Sequence, residues 1–261
     1  VLQPQLSTTE GAFALWCQGY STIVTWGAAG AIGDSSAVQY QQKGVQNMRC
    51  TYGAFAAILA NGSVVTWGDA FFGGDSSKVQ DQLRGVQQIQ ATMYAFATIL
   101  KDGSVVTWGR AGSGGNSSAV EGQLRGVQQI QATEDAFAAI LEDGSVVTWG
   151  YAGKGGDSSS VQDQLKGVRQ IQSTYHAFAA VLAHGSVVTW GDAAHGGHSS
   201  AVQDQLRSVQ QIQSTACAFA AILVDGSVVT WGHVERGGDS SEVRDQLKGV
   251  EQIQATHGAF A

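Results

Sequence analysis

The sequence predicts an all-β protein, a β-propeller of 41-residue repeats. Three observations carry that prediction. The heptapeptide Gly-Ser-Val-Val-Thr-Trp-Gly occurs at 62–68, 103–109, 144–150, 185–191 and 226–232, with a blurred copy at 21–27. Its tryptophans, Trp26, Trp67, Trp108, Trp149, Trp190 and Trp231, stand 41 residues apart, and an Ala-Phe-Ala marker keeps nearly the same period from Phe13 to Phe260. Between turn signals the chain offers only short extended runs, with no stretch of helical period longer than one turn.

One unit, residues 86–126, shows each element in order. "VQQIQAT" alternates apolar and polar residues, as a half-buried strand does. "AFATIL" is apolar on both sides and "SVVTWG" is β-branched and aromatic, so both suit strands covered on two faces. "KDG" between them makes a hairpin turn, with Gly where φ must be positive. A Gly/Ser-rich loop follows Trp-Gly, "SSAV" is expected as a fourth, outer strand, and "EGQL" or "QDQL" as a single helical turn. A lone unit cannot bury both faces of its sheet; neighbouring units do so, which accounts for the Ala and Gly where they crowd. The tryptophans, nearly invariant between copies, are expected to pack between units.

The first two strands occur seven times and the last two six times. Seven blades with the last incomplete is the preferred count, and six the alternative. Residues 1–261 are expected to form one propeller domain, itself a fragment or one domain of a longer polypeptide.

The unit "GVQQIQATMYAFATILKDGSVVTWG" resembles the repeat of the regulator of chromosome condensation superfamily. The 41-residue length and the small-polar stretch "GGDSSKVQDQLRGV" are similar to the compact bacterial subgroup typified by the propeller-type β-lactamase inhibitor protein. The resemblance covers essentially the whole chain and implies a propeller. It implies little about activity, because the superfamily includes exchange factors, ligase-associated domains, photoreceptors and inhibitors. The exchange factor's projecting insertion and the photoreceptor's Gly-Trp-Arg-His-Thr motif are both absent from these uniform units.

Composition excludes several classes. Charged residues make up 13% of the chain and the net charge is −7, which argues against a nucleic-acid surface. No apolar run approaches the length that spans a bilayer. Cys17, Cys50 and Cys217 do not recur between units and make a poor disulfide framework, and no signal peptide is visible at "VLQPQLSTTE". An intracellular location, cytoplasmic or nuclear, is therefore expected. No cofactor is expected.

Because the units are near-copies, they form an alignment within one chain. Two positions vary sharply: the pair before Ala-Phe and the five residues after Trp-Gly. Strand direction brings both to the same mouth of the propeller, opposite the Asp-Gly hairpins. We therefore expect a protein-binding face carrying Phe71, Phe72, Met93, Tyr94, Arg110, Glu134, Asp135, Tyr151, Lys154, Tyr175, His176, His195, His233 and Arg236. The aromatic residues and Arg110 would be anchors, with Glu134 and Asp135 tuning partner choice. A lectin-like or other small-ligand propeller, stacking its ligand on the rings, is the alternative; a purely structural array within a larger protein is a third.

Catalysis is not expected. The serines of "GDSS" and "GGNSS" recur in every unit without a recurring histidine, so turn hydrogen bonding explains them better than six active sites. "GRAGSGG" lacks the Lys-Ser/Thr of a phosphate loop. His195, His198 and His176 share one unit, but spacing places no carboxylate or cysteine to complete a metal site, and none is expected.

Overall fold

The structure, a computed structural model, describes residues 4–9, 11–17, 23–27, 35–36 and 44–261. It contains six three-stranded antiparallel sheets, each built from consecutive strands. They are β1 (Pro4–Thr8), β2 (Ala12–Cys17) and β3 (Val24–Gly27); β4 (Val45–Cys50), β5 (Ala54–Leu59) and β6 (Val64–Gly68); and β7 (Val86–Ala91), β8 (Ala95–Leu100) and β9 (Val105–Gly109). Then follow β10 (Val127–Ala132), β11 (Ala136–Leu141) and β12 (Val146–Gly150); β13 (Val168–Ser173), β14 (Ala177–Leu182) and β15 (Val187–Gly191); and β16 (Val209–Ser214), β17 (Ala218–Leu223) and β18 (Val228–Gly232). By contacts the chain divides into two compact units, Val1–Ile130 and Gln131–Ala261.

The expected preference for seven sheets is not supported, and the alternative of six fits. In the seventh copy pairing shrinks to one bridge, Ala255↔Phe260, with Gln254 and Ala261 exchanging backbone hydrogen bonds. Such a two-stranded ribbon is marginal by itself. The expected outer strand is also corrected. Ser117–Val120 is a turn, in which Val120 N donates to Ser117 O. Its first serine turns inward instead, 3.1 Å from the Thr107 hydroxyl of β9. Single 3-10 turns at Glu121–Gln123 and Gln162–Gln164 stand where "EGQL" and "QDQL" predict them.

Register follows the sequence. In every sheet the Ala-Phe strand sets its Phe opposite the Trp of the third strand, as in Phe96↔Trp108 and Phe178↔Trp190. The two rings stack with centroids 5.2 Å apart. In β4, β7, β13 and β16 the first strand carries a bulge at its second residue, as in the shift between Val168 and Gln170 against β14. From the second sheet onward the second strands are buried nearly throughout, β5 and β14 wholly so.

Inside each unit, tryptophans bind one sheet to the next, as expected from their sameness. Within the first unit, Trp108 packs with Ala54, Ala56 and Ile58 of the preceding sheet, and its Nε1 donates to Gly73 O at 2.9 Å. Within the second unit, Trp190 donates to Gly155 O and Trp231 to Gly196 O, at 3.0 and 3.1 Å. Gly73 and Gly155 are glycine for two reasons. Each has positive φ (+92° and +96°), and a Cβ would stand 2.8 or 2.6 Å from the next sheet's phenylalanine ring.

The recurring serines are structural, as expected. Ser76, Ser158 and Ser199 are buried and lie 2.9–3.1 Å from Thr66, Thr148 and Thr189. Each also donates at 2.8 Å to a glutamine whose amide reaches back to the third strand.

Candidate functional site

In each repeat from the second sheet onward, the variable pair and the variable loop lie together. The threonine before the pair pins them. Thr92 Oγ1 accepts from Ala95 N at 2.9 Å and donates to Ser113 O at 3.1 Å. Thr51, Thr133, Thr174 and Thr215 donate in the same way to Phe72 O, Lys154 O, His195 O and Arg236 O. A backbone bond reinforces each pin, as from Arg110 N to Tyr94 O and from Asp192 N to His176 O. The loop itself is a 3-10 turn closed by a left-handed glycine. The expected juxtaposition of pair and loop is thus present within each repeat.

The first unit carries an aromatic patch. Phe72 stacks on Tyr52 and on Tyr94, each with centroids 5.5 Å apart. Phe71 stands edge-on to Phe72 at 5.2 Å and to Tyr94 at 6.3 Å, and is 55% exposed. The Arg110 guanidinium lies 5.0 Å from the Tyr94 ring centroid and 5.5 Å from that of Phe71. Met93 is half-buried, and its carbonyl accepts from Tyr52 N. Five predicted residues therefore meet here, joined by Tyr52, which occupies the same variable position and was missed.

The second unit carries a polar patch. His176 Nε2 lies 2.8 Å from Glu134 Oε2. Lys154 Nζ sits 2.7 Å from Asp135 Oδ2 and 3.6 Å from Glu134 Oε2. Burial opposes the Lys154 charge, but Asp135 and then Glu134 outweigh it and raise the ammonium above its ordinary value. Glu134 and Asp135 are thus engaged by Lys154 and His176, which weakens their expected role in tuning a partner's charge. Tyr175 bonds through its hydroxyl to His257 Nδ1 at 3.0 Å. Tyr151 and His233 stand exposed at the starts of their loops, and Arg236 is half-buried at the end of its turn.

The same patch corrects one expectation. A carboxylate does complete the histidines: His176, Asp192 and His195 bring one ligand atom each within 4.8 Å of one another. The two imidazole centroids are 4.1 Å apart. Burial opposes the Asp192 charge, but the neighbouring His195 imidazole, the Ala194 N–H and the His176 imidazole hold its carboxyl below the ordinary value. His198, considered from sequence, is exposed and outside this group. The sequence does not single out Asp192, because it is one residue after Trp-Gly, where Asp69 also stands with no histidine beside it.

Among the described residues Cys50 and Cys217 are free, and burial pushes both thiols up. No protein-family model matches the sequence, and no curated protein is similar to it. Solved structures are similar in fold. Human WBSCR16 is 15% identical, with 98% of this chain and 80% of that one covered at a TM-score of 0.57. Prp20p of Saccharomyces cerevisiae, described with its binding to Gsp1p and histones, is 16% identical over 98% of this chain and 76% of its own, at 0.54. Yeast RCC1 (Prp20) bound to Kap60 is 16% identical over 94% and 73%, at 0.53. At such identities the likeness shows the fold alone, a β-propeller fold like that of these solved structures.

Proposed function

We propose that the protein is a non-catalytic recognition scaffold of six three-stranded blades, which binds another protein through the variable loops at its blade ends. The observation that carries this reading is the patch of Tyr52, Phe71, Phe72 and Tyr94 with Arg110 upon it. Aromatic and arginine side chains dominate binding hot spots, and here the rings are fixed by stacking before any partner arrives. Phe71 keeps over half its surface exposed, so it has surface left to bury. The fold's likeness to Prp20p, which binds Gsp1p and histones, and to yeast RCC1 bound to Kap60 supports a protein as partner. No role is assigned to the serines, since their hydroxyls already hold the loops.

The test is capture by the full chain, immobilised, from a cell extract, with the captured protein then titrated in purified form. Phe71→Ala and Tyr94→Ala should each weaken binding about tenfold or more, the usual effect of removing an anchor. Asp102→Ala, in a hairpin at the other end of its sheet, should leave binding unchanged. Loss with Asp102→Ala and none with Phe71→Ala would put the interface elsewhere.

A further inference from the structure

We propose that His176, Asp192 and His195 form a binding site for a divalent first-row transition ion, with zinc the best fit. The three residues come from the two segments that each repeat pins together. Asp192 N donates to His176 O at 2.9 Å, and Thr174 Oγ1 donates to His195 O at 2.9 Å. The ligands are thus held by backbone contacts that do not depend on their side chains.

The geometry suits a small ion. Zinc bonds of about 2.0–2.2 Å to nitrogen and oxygen in a tetrahedral site space the donors roughly 3.3–3.6 Å apart. His195 Nδ1 and Asp192 Oδ1 already stand 3.4 Å apart. His195 Nδ1 is also buried and has no hydrogen-bond partner, an arrangement that costs free energy until something fills it. The two imidazole centroids lie 4.1 Å apart, which brings both rings beside one small volume. Glu134 Oε2, 2.8 Å from His176 Nε2, is a carboxylate that holds the orientation of this ring. Two imidazoles and one carboxylate favour zinc, nickel or copper over calcium or magnesium, which prefer oxygen ligands throughout.

The other repeats supply an internal comparison. The matching positions hold Gly53, Asp69 and Phe72; Tyr94, Arg110 and Ser113; Asp135, Tyr151 and Lys154; and Cys217, His233 and Arg236. Among the described repeats only one carries three ligating side chains. The comparison also names replacements the fold accepts: serine already occupies the His195 position at Ser113.

The experiment is equilibrium zinc titration of the full chain against a chromophoric chelator, with circular dichroism in chelator as the folding control. The wild type should bind one equivalent. His195→Ser and Asp192→Asn, the latter keeping an acceptor for Ala194 N, should each weaken binding more than tenfold while folding normally. His198→Ala should bind as the wild type does. No zinc bound by the wild type, or undiminished binding by folded His195→Ser and Asp192→Asn, overturns the proposal.

Discussion

Replacing Trp108 by Phe separates two contributions of the repeated tryptophan. The ring stacked on Phe96 survives, but the indole N–H that reaches Gly73 O is lost. Shrinking a buried indole to a phenyl leaves about 40 Å³, worth roughly 1 kcal/mol at about 24 cal/mol per Å³. The Gly73 carbonyl, in a buried residue, is left unpaired, which adds about 1–2 kcal/mol. The total is about 2–3 kcal/mol. Trp67 provides the control within the same unit. It is equally buried and stacks on Phe55 at 5.2 Å, yet its Nε1 has no partner among the described residues. Trp67→Phe should therefore cost only the cavity, about 1 kcal/mol. Urea unfolding followed by far-ultraviolet circular dichroism, with slopes held equal, measures both. Equal losses, or a larger loss for Trp67→Phe, would refute the view that the bond from one sheet to the next stabilises the stack.

Other predictions concern turns and acid. Gly144 has φ +76°, and an added Cβ would stand 2.8 Å from Gly167 Cα, so Gly144→Ala should cost about 1–3 kcal/mol. Gly112, with nothing within 4 Å, should accept Ala within about 0.5 kcal/mol, both variants being measured by the same urea unfolding. Ser208 has φ +58°, where Gly85, Gly126, Gly167 and Gly249 stand in other repeats, so Ser208→Gly should stabilise by about 0.5–1 kcal/mol. In the Asp-Gly hairpins, the serine hydroxyl and then the serine N–H hold the Asp102, Asp143 and Asp225 carboxyls below their ordinary value. Their contribution is therefore present above the unfolded value near 3.9 and lost as pH falls through the folded value. The melting temperature should drop below about pH 4, and the triple Asp→Asn variant should flatten that drop. Asn61, bonded to Ser63 in the same manner, shows that asparagine keeps the turn. An unchanged pH slope in the variant would contradict this account.

Much of this arrangement is legible in the sequence because each repeat tests the others. Invariance identifies Trp108 and Trp190 as packing residues, and recurrence assigns the serines to turns. The pairing of variable turn with variable loop follows from strand direction alone. What escapes are contacts that depend on two repeats at once. Glu134 meets His176, 42 residues on, and Phe72 of one repeat stacks on Tyr94 of the next. No single repeat displays such a pair. The outer strand failed for a local reason: in "SSAV" one serine hydroxyl bonds to the threonine of the third strand, and the backbone turns instead of pairing.

The threonine pins bear on how such a protein can change. Each pin grips the carbonyl of the 3-10 turn's third residue, whichever side chain that residue carries: Phe72, Ser113, Lys154, His195 or Arg236. Five chemically unrelated residues thus sit in one mechanical seat. A mutation there alters what the surface offers without loosening the joint beneath it. Duplication of a repeat can therefore be followed by free substitution at that seat, and a new specificity can arise one residue at a time on a frame that does not register the change.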